Sequence, residues 1–522
     1  MDNLLLEAQE VVRNYRLDKP VPPAVPSLAK KLEETVATGV ASSPNLARLP
    51  QEVLFLIADL IKPPAVLTAD DEDLAAEAAL AKERLLRHSP PLLALSRHLA
   101  RLLPAPTDPP SREDLDCRAR LLLVFGRFTQ VALAGTFTDS QARVEATAFC
   151  AYLLHQPPSI RLPLIRHILS ASLPPFFKPH PKLNPATGRV LSRPLGGDNA
   201  QQSWYEESEG NATGWRKQAG LGGLVKLLIE ALQPGEVEDL WPLLLPPILS
   251  YLDDFETKHK VVGTTLLDSL LDRVDASLLR RTGVGKVFEK SLELCFSTLS
   301  DPLTPDLLSL AHPIALKLLN LQHPPPSASP FASTASDEPR FTALCALLST
   351  SILPAWEFKS QHVAIETFCA RALPPILDAL EAGSIRYLQV LVPHLSDLVA
   401  TTATAAGGTW TVETVSLMLE VARALESVVR NGKLRIKRWE GRIAGAVAQT
   451  WVAMRESQGA KTLGGTTEGE AVLEQLEEAL KGVVVALGQA CPAEAAVFFD
   501  RMKALDPVFG GLLGAGAGVE CA

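Results

Sequence analysis

The segment LPPIL at positions 245–249 places two prolines inside an apolar stretch, and the same five letters recur at 373–377. A third proline-interrupted apolar stretch, VPHL, lies at 392–395. Proline inside a helix removes a backbone hydrogen bond and clashes with the preceding turn, at a cost of about 3 kcal/mol or more. The first two segments begin 128 residues apart, close to three periods of ~43 residues, within the range of HEAT and armadillo repeats. The pattern therefore predicts stacked helical hairpins and a scaffold rather than a catalyst.

The composition favours the same architecture. Of the 522 residues, 47% are hydrophobic but only 6% are aromatic. The apolar residues are mainly Leu, Ala and Val, and Leu and Ala favour helix. Alternating runs of β-branched and aromatic residues, which would indicate strands, are scarce. We therefore predict an all-α chain, an α-solenoid of degenerate HEAT/armadillo-like helical hairpin repeats.

Changes in sequence pattern predict six regions. Proline-rich breaks such as Pro90-Pro91 interrupt the helical patches of the first region. The predicted regions are N-terminal helical repeats at 1–173, an irregular Pro/Gly-rich segment with Trp anchors at 174–218, central HEAT-like repeats at 219–322, a Pro/Ser-rich loop at 323–340, C-terminal helical repeats at 341–509 and a disordered tail at 510–522.

Charge and cysteine content exclude several classes of protein. The net charge of −9 and the pI near 5.7 argue against nucleic-acid binding, which needs a positive surface. Seven dispersed cysteines without CxxC spacing are typical of reduced thiols, so we expect a cytoplasmic and nuclear protein. The first residues lack the pattern of a signal peptide. No uncharged apolar run is long enough to span a bilayer, so no membrane association is expected.

One HEAT-like repeat signature is complete. Pro246, Asp254 and Lys260 stand eight and six residues apart, the spacing that HEAT repeats use for a helix proline, a turn aspartate and a basic residue in the second helix. We expect Asp254 to cap a helix beginning near Glu256, because an aspartate can accept hydrogen bonds from free N–H groups there. We expect Lys260 to reach an acidic residue of the same or an adjacent repeat.

Sites of chemistry are not predicted: no catalytic, cofactor-binding or metal-binding residue is expected. The segment TGVGK at 282–286 resembles a phosphate loop, but Arg280 and Val287 stand where glycine and Ser or Thr are needed. A helix C-cap at Gly283 is the better interpretation. Asp253 and Asp254 are consistent with paired catalytic carboxylates, but at a hairpin turn such a pair is more often structural.

Two further features leave alternatives open. The basic run KLRIKRW at 433–439 is either an import or anionic-partner patch, or a solvated helix face with Leu434, Ile436 and Trp439 partly inward. Trp204 and Trp215 lie in the irregular segment. They are either core packing or anchors for a partner, since tryptophan is enriched among interface hot spots.

An ordered series of residues lies between about 190 and 320. It consists of Arg193-Pro194-Leu195-Gly196, Asp198, Gln202, Trp204, Trp215, Trp241, Leu252-Asp253-Asp254-Phe255, Lys260, Gly263, Leu266-Leu267-Asp268, Thr282-Gly283, Val287-Phe288 and Thr304-Pro305. This series resembles the Tti-two family, a subunit of the Triple-T (TTT) cochaperone complex, whereas the flanking regions match only in being helical.

The resemblance implies a non-enzymatic adaptor. Its partners would be the Tti-one and Tel-two subunits and, indirectly, phosphatidylinositol-kinase-related kinases and the Hsp-ninety machinery. That role connects the chain to TOR signalling, the DNA damage response and telomere maintenance. Within the matching block, Arg193, Pro194, Trp204 and Trp215 are the predicted partner-binding residues, acting directly or by shaping the surface. The alternatives are a transport or trafficking solenoid of the importin-like kind and, third, a helical-repeat enzyme.

Overall fold

The computed structural model describes residues 2–37, 48–68, 72–130, 137–193, 214–325, 337–359, 362–404 and 410–513. Among these residues 79% are helical and none forms a strand. One isolated antiparallel bridge joins Leu183 and Val190. The prediction of an all-α solenoid is therefore confirmed.

The chain divides into two compact units, Met1–Ser291 and Leu292–Ala522. This division falls inside the predicted block at 219–322 and was not anticipated from the sequence pattern. The α-helices that begin before the division, the last of which crosses it, are α1 (Asp2–Arg13), α2 (Ala24–Ala37), α3 (Leu49–Ile61), α4 (Ala75–Ala100), α5 (Arg112–Phe125), α6 (Ser140–Leu154), α7 (Pro158–His167), α8 (Leu221–Glu230), α9 (Val237–Leu252), α10 (Thr257–Leu271), α11 (Ala276–Thr282) and α12 (Gly285–Phe296).

Helices of the first unit pack in two alternating series. In one series, α2 contacts α4 and α4 contacts α6. In the other, α1 contacts α3, α3 contacts α5 and α5 contacts α7. Consecutive helices such as α3 and α4 also pack together, and α9 and α10 form a helical hairpin. Each helix buries its apolar side against the next layer, which is how a solenoid is stabilised without one central core.

The second unit repeats the arrangement. Helices α13, α16, α18 and α21 pack in one series, and α17 and α19 in the other. Its α-helices are α13 (Thr304–Gln322), α14 (Asp337–Thr350), α15 (Ile352–Lys359), α16 (Val363–Leu380), α17 (Leu388–Thr404), α18 (Val412–Gly432), α19 (Glu440–Glu456), α20 (Gln458–Leu463), α21 (Thr467–Ala490), α22 (Pro492–Leu505) and α23 (Gly510–Leu513).

Prolines lie inside helices, as the three opening segments predict. Pro246 and Pro247 are in α9, the second LPPIL segment is in α16, and Pro393 is in α17. The predicted break at Pro90-Pro91 is wrong, because both prolines lie inside α4. Helix α4 packs against α2, α3 and α6, and this tertiary packing offsets the cost of the two missing N–H groups.

Two predicted boundaries need correction. Helix α14 begins at Asp337, inside the loop predicted at 323–340. Helix α23 lies inside the tail predicted to be disordered, where Leu512 and Leu513 are buried and contribute apolar packing. The rest of that tail, 514–522, lies outside the described residues.

One stretch, Pro339–Phe358, is long and apolar enough to cross a membrane by length and composition alone. It runs through α14 and α15, which pack against each other and against α16. Buried helices of a helical core pass the same test, so the finding is weak evidence for a membrane segment.

The basic run at 433–439 is a connection rather than a helix face. Helix α18 ends at Gly432, and a short 3-10 turn follows at Ile436–Trp439. Ile436 is fully buried and Trp439 is half-buried, but Leu434 is 71% exposed. The Lys437 ammonium forms a salt bridge with Glu494 on α22.

Candidate interaction site around Asp253 and Asp254

The site lies at the turn between α9 and α10, where residues 253–256 connect the two helices. Gly263 in α10 allows the helices to approach closely. A Cβ atom at this position would lie 2.5 Å from the backbone nitrogen of Leu252 in α9. A larger residue would therefore force the helices apart.

Asp254 is the centre of the site and is only 1% exposed. Its Oδ2 atom accepts a hydrogen bond from Nε of Arg216 (2.7 Å) and forms an ion pair with Nη2 of the same guanidinium (2.6 Å). Its Oδ1 atom accepts one from the backbone N–H of Glu256 (2.8 Å) and lies 3.0 Å from Nδ1 of His259. A buried carboxylate is tolerated only when it is paired and hydrogen-bonded in this way.

These contacts determine the ionisation of Asp254. Burial is the largest single effect and by itself raises the pKa of the carboxyl group. The hydrogen bond and charge of His259, the Glu256 N–H and the Arg216 guanidinium together outweigh it and lower the pKa of Asp254 below its ordinary value. Asp254 is therefore a charged group under neutral conditions.

Asp253 faces a different segment of the chain. Its Oδ2 atom lies 3.3 Å from Nε2 of His180, and both side chains are buried. The backbone N–H of Lys182 donates to Nδ1 of His180 at 3.3 Å. The contact between Nε2 of His180 and Asp253 is a close approach of two buried polar groups and not a hydrogen bond.

The two consecutive aspartates thus hold two separate parts of the irregular segment. Asp253 contacts His180 before residues 194–213, and Asp254 binds Arg216 after them. The first part is also fixed by a backbone hydrogen bond from Val190 to the Thr282 carbonyl, 3.0 Å long. We define residues 253–256 as the Asp253–Asp254 turn. This turn contacts the chain on both sides of residues 194–213, at His180 before them and at Arg216 after them.

Trp215 lies inside this cluster and is 4% exposed. Its ring centroid lies 4.4 Å from that of Tyr251, 4.9 Å from His259 and 6.2 Å from Phe177. An indole this buried packs the core, so the expectation of Trp215 as a direct partner anchor is corrected. An effect of Trp215 on the shape of the surface stays a prediction.

The predicted repeat signature holds in part at Asp254 and is wrong at Lys260. Asp254 accepts the backbone N–H of Glu256 next to the start of α10, as expected, but as an Asx-turn, because the N-cap residue itself is Glu256. Lys260 is buried and forms no salt bridge with an acidic group in the described part of the chain. His259 contacts Asp254 instead, because consecutive helix positions point about 100° apart. Pro246 is half-buried within α9.

The remaining predicted partner residues are only partly described. Arg193 is exposed and is the last residue before the gap at 194–213. Pro194 and Trp204 lie outside the described residues, so their roles stay predictions.

Sequence reasoning missed the side chains that complete the cluster: His180, Arg216, Tyr251 and His259. Arg216 directly follows the selected Trp215, and His259 directly precedes the selected Lys260. A signal existed for Arg216 alone, since an acidic turn that becomes buried needs a cation as partner.

The outer side of the turn carries an exposed aromatic residue. Phe255 is 64% exposed, and the guanidinium of Arg216 lies 4.8 Å from its ring centroid. Asp254 holds the Arg216 side chain in place, and Arg216 in turn stabilises the position of the Phe255 ring through a cation–π contact. A rigidly held, solvent-exposed aromatic next to an arginine has the chemistry of an interface hot spot.

Metal binding is a poor explanation of the cluster. Asp254, Glu256 and His259 offer ligand atoms within 4.8 Å of one another. The Arg216 guanidinium already occupies the Asp254 carboxylate, and its positive charge disfavours a second cation there. The adjacent cavity, about 160 Å³, is smaller than ordinary ligand pockets.

Gly283 has the role preferred from the sequence. It is the C-cap of α11, with φ of 72° and its N–H donating to the Leu279 carbonyl. The C-cap role of Gly283 explains why glycine occurs in the segment at 282–286, so its resemblance to a phosphate loop needs no bound nucleotide.

A protein-family model described as the Tti2 family matches residues 128–405, more than half of the chain. The chain belongs to the Tti2 family. The match extends on both sides of the block at 190–320 that the sequence resemblance covered, and it includes the whole Asp253–Asp254 turn. Among curated proteins none matches the chain significantly.

Solved structures give remote similarities. They include SYS-1, with TM-score 0.36, 10% identity and coverage of 98% of this chain and 89% of that chain. The SYS-1/POP-1 complex has TM-score 0.32 and 14% identity, covering 98% of this chain and 92% of that chain. Kap121p has TM-score 0.31 and 13% identity, covering 99% of this chain and 57% of that chain. Similarities this remote carry no argument about function.

Proposed function

We propose that this Tti2-family protein is a non-enzymatic scaffold subunit of the TTT cochaperone complex. In this role it binds Tti-one- and Tel-two-like subunits in the cytoplasm and nucleus. Through them it supports the folding, stability and assembly of phosphatidylinositol-kinase-related kinases with the Hsp-ninety machinery. The family match over residues 128–405 is the observation that carries the proposal.

The geometry of the site supports a scaffold. The two neighbouring carboxylates, Asp253 and Asp254, each face a different side chain of the protein, His180 and Arg216. These pairings explain both aspartates as structural groups that hold the turn and its flanking segment. The exposed group at this place is an apolar ring, Phe255, which suits protein contact rather than proton transfer.

We therefore place one partner contact at Phe255. A Phe255→Ala variant is expected to retain its melting temperature, since the ring is mostly exposed, and to weaken pull-down of the Tti-one-like subunit. Phe358→Ala is the matched control, because Phe358 is a similarly exposed phenylalanine (71%) in the second unit. Equal pull-down by Phe255→Ala and wild type would contradict this contact.

The tryptophans are tested with the same two readouts. Trp215→Ala is expected to lower melting and binding together, because its ring packs the core. Trp204→Ala tests the segment at 194–213 directly: weakened binding with unchanged melting supports an interface, and unchanged binding argues against one.

A further inference from the structure

A second surface feature lies in the unit Leu292–Ala522, away in sequence from the Asp253–Asp254 turn. Helices α13 and α16 enclose a groove of about 600 Å³, within the size range of ligand and peptide pockets. Its walls are mostly apolar and include Leu316 from α13 and Phe368 from α16. We call it the α13–α16 groove.

His312 lines the α13–α16 groove and carries a buried nitrogen without a hydrogen-bond partner in the described structure. His312 is 3% exposed, and its Nε2 atom is buried with no partner among the described residues. Its ring is fixed between Phe296 and Phe368, with centroid distances of 6.3 and 5.8 Å. An unsatisfied buried nitrogen costs about 1–3 kcal/mol, which a hydrogen bond from a bound group would recover.

Two prolines add backbone acceptors at the same place. Pro313 in α13 and Pro375 in α16 both line the groove and have no N–H to donate to the residue four positions earlier. Those residues are Ser309 and Arg371, which line the groove as well. Their carbonyl groups lack the usual helical donor and match the N–H groups of a peptide backbone.

The rim of the groove is positively charged. Lys317 and Arg371 line it, and none of the described lining residues is acidic. Glu420 is the nearest counter-charge described for Arg371, at 3.1 Å, but it is shared with Arg423 at 3.3 Å. Two guanidinium groups on one carboxylate leave an excess positive charge beside the groove, which favours an acidic ligand.

We propose that the α13–α16 groove binds a short acidic peptide segment of a partner protein, which inserts an apolar side chain between the helices and places carboxylates beside Lys317 and Arg371. The segment's N–H groups face the carbonyls of Ser309 and Arg371, and one polar group reaches His312. This inference rests on the proposed scaffold function and assigns a recognition chemistry to one of its surfaces.

The test uses the full chain and an array of overlapping peptides drawn from the Tti-one- and Tel-two-like subunits. Each peptide has about 15 residues, more than enough to cover the roughly 18 Å that the groove-lining residues span along α13. Acidic peptides with a large apolar residue are expected to bind. Arg371→Ala and Leu316→Gln should weaken that binding by roughly tenfold, the loss expected for one charge-assisted contact or one apolar contact.

Arg423→Ala is the matched control, because Arg423 shares Glu420 with Arg371 but does not line the groove. The inference is overturned if Arg371→Ala binds every peptide as tightly as the wild-type chain does. It is also overturned if Arg423→Ala loses as much peptide affinity as Arg371→Ala. A small molecule that native mass spectrometry finds on the purified chain, and that Leu316→Gln releases, overturns it in favour of a non-peptide ligand.

The scaffold function is tested separately by co-purification of the whole subunits with the wild-type chain. If they co-purify while the groove variants bind all peptides normally, only the inference fails. If they do not co-purify, the proposed function fails and the inference fails with it.

Discussion

The Asp254 carboxylate accepts a hydrogen bond from Nε of Arg216, 38 positions earlier in the chain, at 2.7 Å, and forms an ion pair with Nη2 of the same guanidinium at 2.6 Å. Both side chains are largely shielded from water, so the pair is a structural link and not a surface contact. It joins the helical hairpin of α9 and α10 to the segment that follows residues 194–213. The same arginine supports the exposed ring of Phe255, so one ion pair connects the core of the turn to its outer surface.

Asp254→Ala is expected to destabilise the protein strongly. Removing one partner of a buried ion pair costs roughly 3–5 kcal/mol, because the remaining charge is left uncompensated. Asp397→Ala is the control: Asp397 also binds an arginine, Arg442, at 2.8 and 2.7 Å, but its side chain is 64% exposed. An exposed pair contributes only about 0–1 kcal/mol. Urea unfolding of both variants measures the difference, and similar losses would show that Asp254 is not an essential buried anchor.

The stability contributed by Asp254 is expected to depend on acid pH. Because the pKa of Asp254 is lower in the folded protein than in the unfolded chain, its contribution is present above about pH 4 and is lost as pH falls through the folded value. The difference in unfolding free energy between wild type and Asp254→Asn should be constant from neutral to mildly acidic pH and then shrink. A difference that grows on acidification would reverse the assigned direction of the pKa shift.

The burial of His312 predicts a second pH dependence of the unfolding free energy, in a different pH range from that of Asp254. Burial lowers the pKa of His312 to about 4, against 6.5 in the unfolded chain. Protonation therefore favours unfolding, and stability falls as pH decreases from 6.5 towards 4, by about 3 kcal/mol for a shift of this size.

His312→Leu should remove that part of the acid sensitivity, whereas the same change at the exposed His155 should leave it in place. Urea midpoints measured between pH 7 and pH 4 provide the comparison. An unchanged pH profile in His312→Leu would mean that His312 titrates normally in the folded protein.

Gly263→Ala is expected to lower stability although alanine favours helix. The new Cβ atom would lie 2.5 Å from the Leu252 nitrogen, and overpacking of this kind costs about 1–3 kcal/mol. Gly445 in α19 has nothing within 4 Å of the same added atom. Gly445→Ala should therefore gain up to about 1 kcal/mol from helix propensity. Thermal melting of the two variants should shift in opposite directions; a shift of the same sign would remove the argument for close approach at Gly263.

The all-α fold class can be predicted from the sequence because helix formation depends largely on local sequence signals. Proline-interrupted Leu-rich segments and the Leu/Ala composition indicated helical hairpins, and α9 and α16 contain the two LPPIL segments. Local rules predict a break at Pro90-Pro91, but tertiary packing of α4 outweighs the local penalty of the two prolines. Local rules cannot include that compensation.

The site was less predictable because its contacts are distant in sequence. The spacing of Asp254 to Lys260 pointed to the correct turn but to the wrong basic residue, since His259 rather than Lys260 faces the carboxylate. His180 and Arg216 come from another segment, and no spacing rule relates them to Asp253 and Asp254. Trp215 was recognised as special, but only its contacts with Tyr251 and His259 show that it belongs to the core.

The central claim is that this chain is a scaffold subunit of a TTT complex. The most direct measurement is affinity purification of the tagged full chain from its own cells, with the co-purifying proteins identified and quantified by mass spectrometry. The account predicts Tti-one- and Tel-two-like subunits in stoichiometric amounts, with phosphatidylinositol-kinase-related kinases in smaller amounts. Recovery of transport cargo or trafficking proteins instead, with neither subunit present, would contradict it.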